Sequence, residues 1–203
     1  MMSEKKQTIH VVDDDEAMRD SMNWLLEGEG YTVACYDSAA SFLAARNDRM
    51  RGCIVLDVRM PEMSGLELHE KLEALGSRLP IIFVTGHGDV PMAVSALQRG
   101  ACDFIEKPFN IEDLLSRIRR ALELDSQLSA RQQRNSAIAH RLEQLTQRER
   151  EVMQLVVAGK LNKQVADELD ISMKTVEAHR ARVMEKMGVR TLAELVKAVM
   201  TVN

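Results

Sequence analysis

What this sequence has little of narrows its reading first. It holds three cysteines, Cys35, Cys53 and Cys102, an odd number without the spacing of a zinc or redox pair. A disulfide framework is therefore not expected, and such cysteines read as small buried hydrophobes. No apolar run is long enough for a membrane span, and the composition matches neither a disordered nor a collagen-like chain. The run after Lys5-Lys6 meets Asp13-Asp14-Asp15 at once, which leaves no core for a signal peptide. The expectation is a cytoplasmic protein with no membrane partner. At 203 residues the chain has room for one large domain or two modest ones.

An even spread of charge is missing too. The formal net charge is -4, yet residues 1–125 hold 14 Lys+Arg against 22 Asp+Glu, while residues 126–203 hold 13 against 9. An acidic half joined to a basic half suggests a nucleic-acid-facing module attached to one that is not, although a mild positive excess is also what a solvated surface carries.

What is present organises around Cys53-Ile54-Val55-Leu56-Asp57. A short apolar run that stops on a carboxylate reads as a strand buried on both faces, and Pro61 cannot continue it. Ile9-His10-Val11-Val12 behaves likewise and stops on Asp13-Asp14-Asp15. Candidate strands are 8–12, 32–36, 53–57, 80–85 and 102–106. Helical patterns occupy 16–29, 38–45, 64–75 and 90–99, with a fifth from Ile111. Gly30, Gly76 and Gly100 are placed as left-handed helix stops. Five βα alternations predict a parallel, doubly wound sheet with helices on both faces, in the flavodoxin-like order. Ligands in such a sheet bind beyond the carboxyl ends of the strands, where Asp13, Asp14 and Asp57 converge. Thr85 at the end of the fourth strand and Lys107-Pro108 after the fifth reach the same rim.

This constellation resembles the receiver domain of two-component response regulators over residues 8–125. The family's acidic pair matches Asp13 and Asp14, its phosphoacceptor Asp57, its hydroxyl residue Thr85 and its Lys-Pro pair Lys107-Pro108. Phe104 matches the aromatic that rotates inward on activation, so Thr85 and Phe104 are the implied switch residues. Asp15 is an extra acid with no assigned ligand role, and His87 and Arg59 flank the site. Taken alone, each feature has a bland reading: an acidic helix cap, a surface lysine, a strand end, a core aromatic.

The chemistry explains the residue types. Clustered carboxylates raise one another's pKa unless a cation relieves them. A hard divalent ion with oxygen ligands does so, and Mg²⁺ (or Mn²⁺) fits. The resemblance implies Asp14, Asp57 and the Arg59 carbonyl as ligands, with Asp13 acting through water. Lys107 and Thr85 would hold the phosphoryl oxygens.

Beyond Asp125 the chain is polar and helix-permissive, with neither Gly nor Pro through Asn135, and residues 126–140 read as a helical, semi-rigid linker. From Leu145 there are no strand patterns and four helix starts. Thr146-Gln147-Arg148-Glu149 is a capping box opening a helix with Val152, Leu155 and Val156 inward, stopped at Gly159. Asn162 is expected to cap a second helix to Leu169, and Ser172 a third to Met187, with Gly188 beyond. Thr191-Leu192-Ala193-Glu194 opens the last, with Leu192, Leu195, Val196 and Val199 on one face. Two helices joined by a tight turn and braced by two others make an all-α four-helix helix-turn-helix domain, over residues 141–203.

That segment resembles the LuxR/FixJ-type DNA-binding domain, through Leu145–Glu149, Asn162-Lys163, Val165-Ala166, Thr175–His179 and Met187-Gly188-Val189. In the third helix Val176, Val183 and Met187 are expected to pack inward. Lys174, Glu177, Ala178, Ala181 and Arg182 form the outer stripe, which suits a major groove. Lys163, Lys174, Thr175, Arg180 and Lys186 are candidate phosphate contacts, while Glu177 and Arg182 are candidates for base edges. The bland reading of each charge is a solvated helix face.

The reading is a phosphorylation-dependent transcriptional regulator and not an enzyme. A sensor histidine kinase would phosphorylate Asp57, and the resemblance implies a homodimer, formed through the 90–99 helix and fifth strand, that binds promoter DNA and RNA polymerase. One rival is an aspartyl-nucleophile phosphatase, which wants an acid two residues past the nucleophile, where this chain has Arg59. A second is a receiver that takes no phosphate and works by protein contacts alone.

Overall fold

The strand β3, Gly52–Asp57, is buried at all six positions, which explains why its sequence shows no alternation of apolar and polar residues. In the computed structural model, which describes residues 6–86 and 102–202, the chain divides into two units after Ser129. In the first, β1 (Thr8–Val12), β2 (Thr32–Tyr36), β3, β4 (Ile81–Thr85) and β5 (Asp103–Glu106) form one parallel sheet in the order β2-β1-β3-β4-β5. This is the flavodoxin-like order, and right-handed crossovers place helices on both faces.

Each face has its own core. On one, Ile9, Val11, Val55, Ile82 and Val84 pack against Met22 and Leu26 of α1 (Glu16–Gly28) and Leu114, Ile118 and Ala121 of α4 (Ile111–Glu143). On the other, Val12, Ile54, Leu56 and Phe83 meet Phe42 of α2 (Ala39–Ala45) and Leu68 and Leu72 of α3 (Gly65–Ala74). Successive residues of a strand point to opposite faces, so β3 feeds both cores in turn. Asp15, the extra acid of the sequence, is the N-cap of α1: its side chain accepts the amides of Ala17 and Met18. Ser38 and Ser64 cap the next two helices. Gly30 and Gly76 take positive φ as helix stops. The expected 90–99 helix, with His87 and Gly100, lies outside the described residues.

One expectation fails at the cysteines. Cys53 is buried, and desolvation pushes its thiol up to about 12, but Cys35 is exposed because β2 is an edge strand. Among the described residues no helix is long and apolar enough to cross a membrane.

The second unit is all helical. The end of α4 contributes Ile138 and Leu142 to a cluster built by α5 (Gln147–Val157), α6 (Asn162–Leu169), α7 (Met173–Met187) and α8 (Leu192–Val202). Val152, Val156, Val165, Val176, Val183, Met187 and Leu195 are its centre. Thr146 and Ser172 cap as expected, but Asn162 does not. It is already helical; Leu161 holds the cap position with no side-chain bond, and Gln164 Oε1 accepts the Leu161 amide at 2.8 Å. The Asn162 side-chain oxygen Oδ1 instead accepts from Arg180, 2.5 Å from Nη1. Asp170 takes left-handed geometry, φ 53°, at the turn between α6 and α7, a conformation a short polar side chain tolerates better than most.

Glu149 is the buried charge of this unit, 3% exposed. Lys186 Nζ lies 2.6 Å from its Oε2, and the Thr146 amide donates to the same oxygen at 2.9 Å. The Lys186 hydrogen bond, helped by the Thr146 backbone, depresses the carboxyl from 4.5 to about 2. The depressed group contributes stability that is whole above about 4.5 and lost as pH falls toward 2. In acid titrations of the full chain, unfolding of residues 130–203 is expected to begin below about pH 4.5, and Glu149→Gln to flatten that limb while costing about 1–2 kcal/mol at neutral pH. An acid limb of unchanged steepness in the variant would contradict this assignment.

Candidate functional site

Parallel register brings the carboxyl ends of the three central strands to one rim. Asp57 is the last residue of β3 and pairs across with Val84, while Thr85, the last of β4, pairs with Glu106 of β5. Asp13 follows β1 directly. The Lys107 amide donates to the Thr85 carbonyl at 2.8 Å, which fixes where the lysine side chain leaves the sheet.

That ammonium joins two acids. Lys107 Nζ lies 2.7 Å from Asp57 Oδ1 and 3.1 Å from Asp13 Oδ2. The remaining oxygens are held by backbone: the Arg59 amide donates to Asp57 Oδ2 at 2.6 Å, and the Asp15 amide to Asp13 Oδ1 at 2.9 Å. Asp13 is 2% and Asp57 7% exposed. Burial raises the pKa of Asp57, and the Lys107 hydrogen bond and charge only partly oppose it. Burial also works against the Lys107 ammonium, but hydrogen bonds to Asp57 and Asp13 outweigh it, and its pKa is raised. A desolvated carboxylate with a second carboxylate beside it is a place for more positive charge than one lysine supplies.

Asp14 is exposed beside this pair, and the Arg59 side chain is exposed as well. Among the described residues no three acids, histidines or cysteines are grouped closely enough to hold a metal by themselves. Mg²⁺ does not require such a cage, because it binds through one or two carboxylates and completes its shell with waters and phosphate oxygens. The oxygen donors of Asp13, Asp14 and Asp57 suit that ion. Thr85 is buried, and its hydroxyl donates to the Gly86 carbonyl at 3.2 Å. Phe104 is half-buried against the core beside Phe83, its register partner. Gly65 is required by close approach: a Cβ there would stand 2.2 Å from the Asp57 carbonyl oxygen.

In the second unit the exposed stripe of α7 carries Lys174, Glu177, Ala178, Ala181 and Arg182, and Lys163 is exposed on α6. Three further sequence candidates have partners within the protein. The Thr175 hydroxyl is 2.8 Å from Ser172 Oγ at the helix cap, Arg180 braces Asn162, and Lys186 holds Glu149 and the Gln144 carbonyl. Sequence reading gave no bracing role to Arg141, whose Nη1 donates to the Met187 carbonyl at 2.9 Å, or to Arg148, whose Nη2 donates to the Leu169 carbonyl at 2.7 Å. Their partners lie on other helices, so no i,i+4 spacing announces them.

Comparison with known proteins gives the same two parts. The receiver-domain family of response regulators matches residues 9–119, and the luxR family of bacterial regulatory proteins matches residues 143–199. The response regulator protein TodT of Pseudomonas putida F1 is 46% identical over 196 residues, 97% of this chain and 86% of its own. The transcriptional regulatory protein FixJ of Azorhizobium caulinodans is 46% identical over 93% of this chain and 90% of its own. Among solved structures, the response regulator StyR aligns with a TM-score of 0.85 at 42% identity, covering 96% of this chain and 98% of that one. Full-length FixJ from B. japonicum aligns at 0.60 with 45% identity over 97% of each.

The internal roles separate the cations by experiment. On a duplex selected from a random pool, Lys163→Ala is expected to reduce the slope of log affinity against log salt by about one. Arg180→Ala should weaken binding and leave the slope as it is. An equal fall in slope for both would make Arg180 a phosphate contact after all.

Proposed function

Because this chain belongs to the response regulators, with a receiver domain and a LuxR-type DNA-binding domain, we propose that it is a transcriptional regulator in which Asp57 accepts a phosphoryl group. The observation that carries this reading is the lysine-bridged acid pair: Lys107 Nζ lies 2.7 Å from Asp57 and 3.1 Å from Asp13 at the rim of the sheet.

The donor is a phosphohistidine of a sensor kinase. A carboxylate oxygen of Asp57 attacks phosphorus, the P–N bond breaks as the O–P bond forms, and the imidazole leaves with the electron pair and takes a proton. Asp14, Asp57 and the Arg59 carbonyl would hold a Mg²⁺ (or Mn²⁺) ion, with Asp13 close by, and the ion would supply the positive charge that screens the repulsion between the carboxylate and the incoming phosphoryl group. Lys107 then exchanges its hold on Asp57 for a phosphoryl oxygen, and the Thr85 hydroxyl turns from the Gly86 carbonyl toward another. Phe104 follows the space that Thr85 vacates. The added charge, about -1.5 to -2 at neutral pH, biases this two-state element. The protein is a phosphoacceptor rather than an enzyme, and loss of the acyl phosphate is its own hydrolysis.

Residues 1–125 form the receiver, 126–140 a helical linker and 141–203 the DNA-binding domain. The exposed stripe of α7 enters the major groove, with Glu177 and Arg182 at base edges and Lys163 and Lys174 on phosphates. Phosphorylation promotes a homodimer that reads paired half-sites in promoter DNA and meets RNA polymerase, all in the cytoplasm.

Incubation with acetyl phosphate and Mg²⁺ tests the acceptor. Asp57→Asn is expected to abolish acid-stable, base-labile label, and Asp13→Asn to slow but not abolish it. Undiminished label in Asp57→Asn would overturn the assignment.

A further inference from the structure

The face of α4 that lies on the sheet buries Leu114, Leu115, Ile118 and Ala121, and its last buried residue is a carboxylate, Asp125. Taking an acid out of water costs several kcal/mol unless partners meet its oxygens. Arg51 Nε stands 3.1 Å from both Oδ1 and Oδ2, and its Nη2 2.9 Å from Oδ2. The Gly52 amide donates to Oδ2 at 3.1 Å, and Gln7 Nε2 donates to it at 2.7 Å. Gln7 also reaches the Leu122 carbonyl at 2.7 Å and Ser126 Oγ at 3.2 Å. Gly52 can sit there only as glycine: its φ is +120°, and a Cβ would stand 1.8 Å from the Thr8 carbonyl oxygen.

Three segments distant in sequence therefore close on one carboxylate: the approach to β1, the start of β3 and the end of the seated face of α4. Stability alone does not ask for this, since a set of apolar side chains in place of the whole cluster would fill such a seat about as well. What the guanidinium fork adds is direction, because a planar multidentate grip fixes both rotation and axial position. Beyond Asp125, α4 has no further buried residue as far as Glu143. The clamp also shares a strand with the chemistry. β3 begins at Gly52, which donates to Asp125, and ends at Asp57, roughly 17 Å away at the usual rise of a strand.

We propose that Asp125 is a positioning residue for the output of this protein. The clamp it forms with Arg51, Gln7 and Gly52 sets where and in what direction α4 leaves the sheet, and conveys the state of the Asp57 end of β3 into the helix that carries on toward the DNA-binding unit. This deepens the functional reading above and rests on it.

The test uses the full chain with Asp125→Leu, which fills the seat without the clamp, and Arg51→Lys, which keeps the charge but loses the fork. Both variants are expected to take label from acetyl phosphate as the unaltered chain does. Amides of residues 122–135, and that of Gly52, should exchange roughly tenfold or more faster while those of residues 53–57 stay protected. The gain in affinity on phosphorylation, for a duplex selected from a random pool, should shrink to within about twofold for Asp125→Leu and be intermediate for Arg51→Lys. An unchanged gain with the clamp broken would overturn the proposal. So would loss of label together with exchange of residues 53–57, which would make the clamp purely structural. If the unaltered chain took label without any change in affinity, the functional reading would fail instead, and the exchange rates would still decide whether the clamp seats the helix.

Discussion

One ammonium between two buried carboxylates is the constraint on which the receiver half depends. Asp13 and Asp57 approach Lys107 because three parallel strands end in register at one rim, and each of these side chains leaves its strand at that end. Burial alone would protonate such acids or drive them apart. The lysine and the two backbone amides hold them together, yet leave Asp57 with a raised pKa, short of the positive charge it needs. A site in that state favours a further cation, and an anion can then be delivered to it.

The DNA-binding half handles charge differently. Arg141, Arg148, Arg180 and Lys186 are turned inward onto carbonyls, Asn162 and Glu149, where they tie one helix to the next. Lys163, Lys174 and Arg182 remain exposed. The cations of this half thus divide into those that hold neighbouring helices and those left exposed to solvent, and only the second group is expected to carry a salt dependence in DNA binding.

Much of this was legible in the sequence, for physical reasons. The strands were visible because burial on both faces forces continuous apolar runs, and their terminal acids marked the rim because that is where a parallel sheet opens. The helix caps at Thr146 and Ser172 were visible because capping depends on short-range chemistry. What sequence reading missed depends on contacts between distant segments. Asn162 looked like a cap, but its side-chain oxygen faces Arg180, and the pairing of Lys186 with Glu149 joins two helices that are far apart in sequence. Cys35 was expected in the core, but β2 is an edge strand and leaves it exposed. Asp125 sat in an unremarkable polar stretch, and nothing within four residues of it announced Arg51 or Gln7.

The central claim is that a phosphoryl group stored at the lysine-bridged acids governs the basic reader at the other end of the chain. The most direct measurement is a titration of a selected duplex with the same preparation before and after treatment with acetyl phosphate and Mg²⁺, at fixed salt. The account predicts tighter binding by about tenfold or more after treatment, a coupling of roughly 1.4 kcal/mol. Superimposable titrations from a preparation shown to carry stoichiometric label on Asp57 would contradict it.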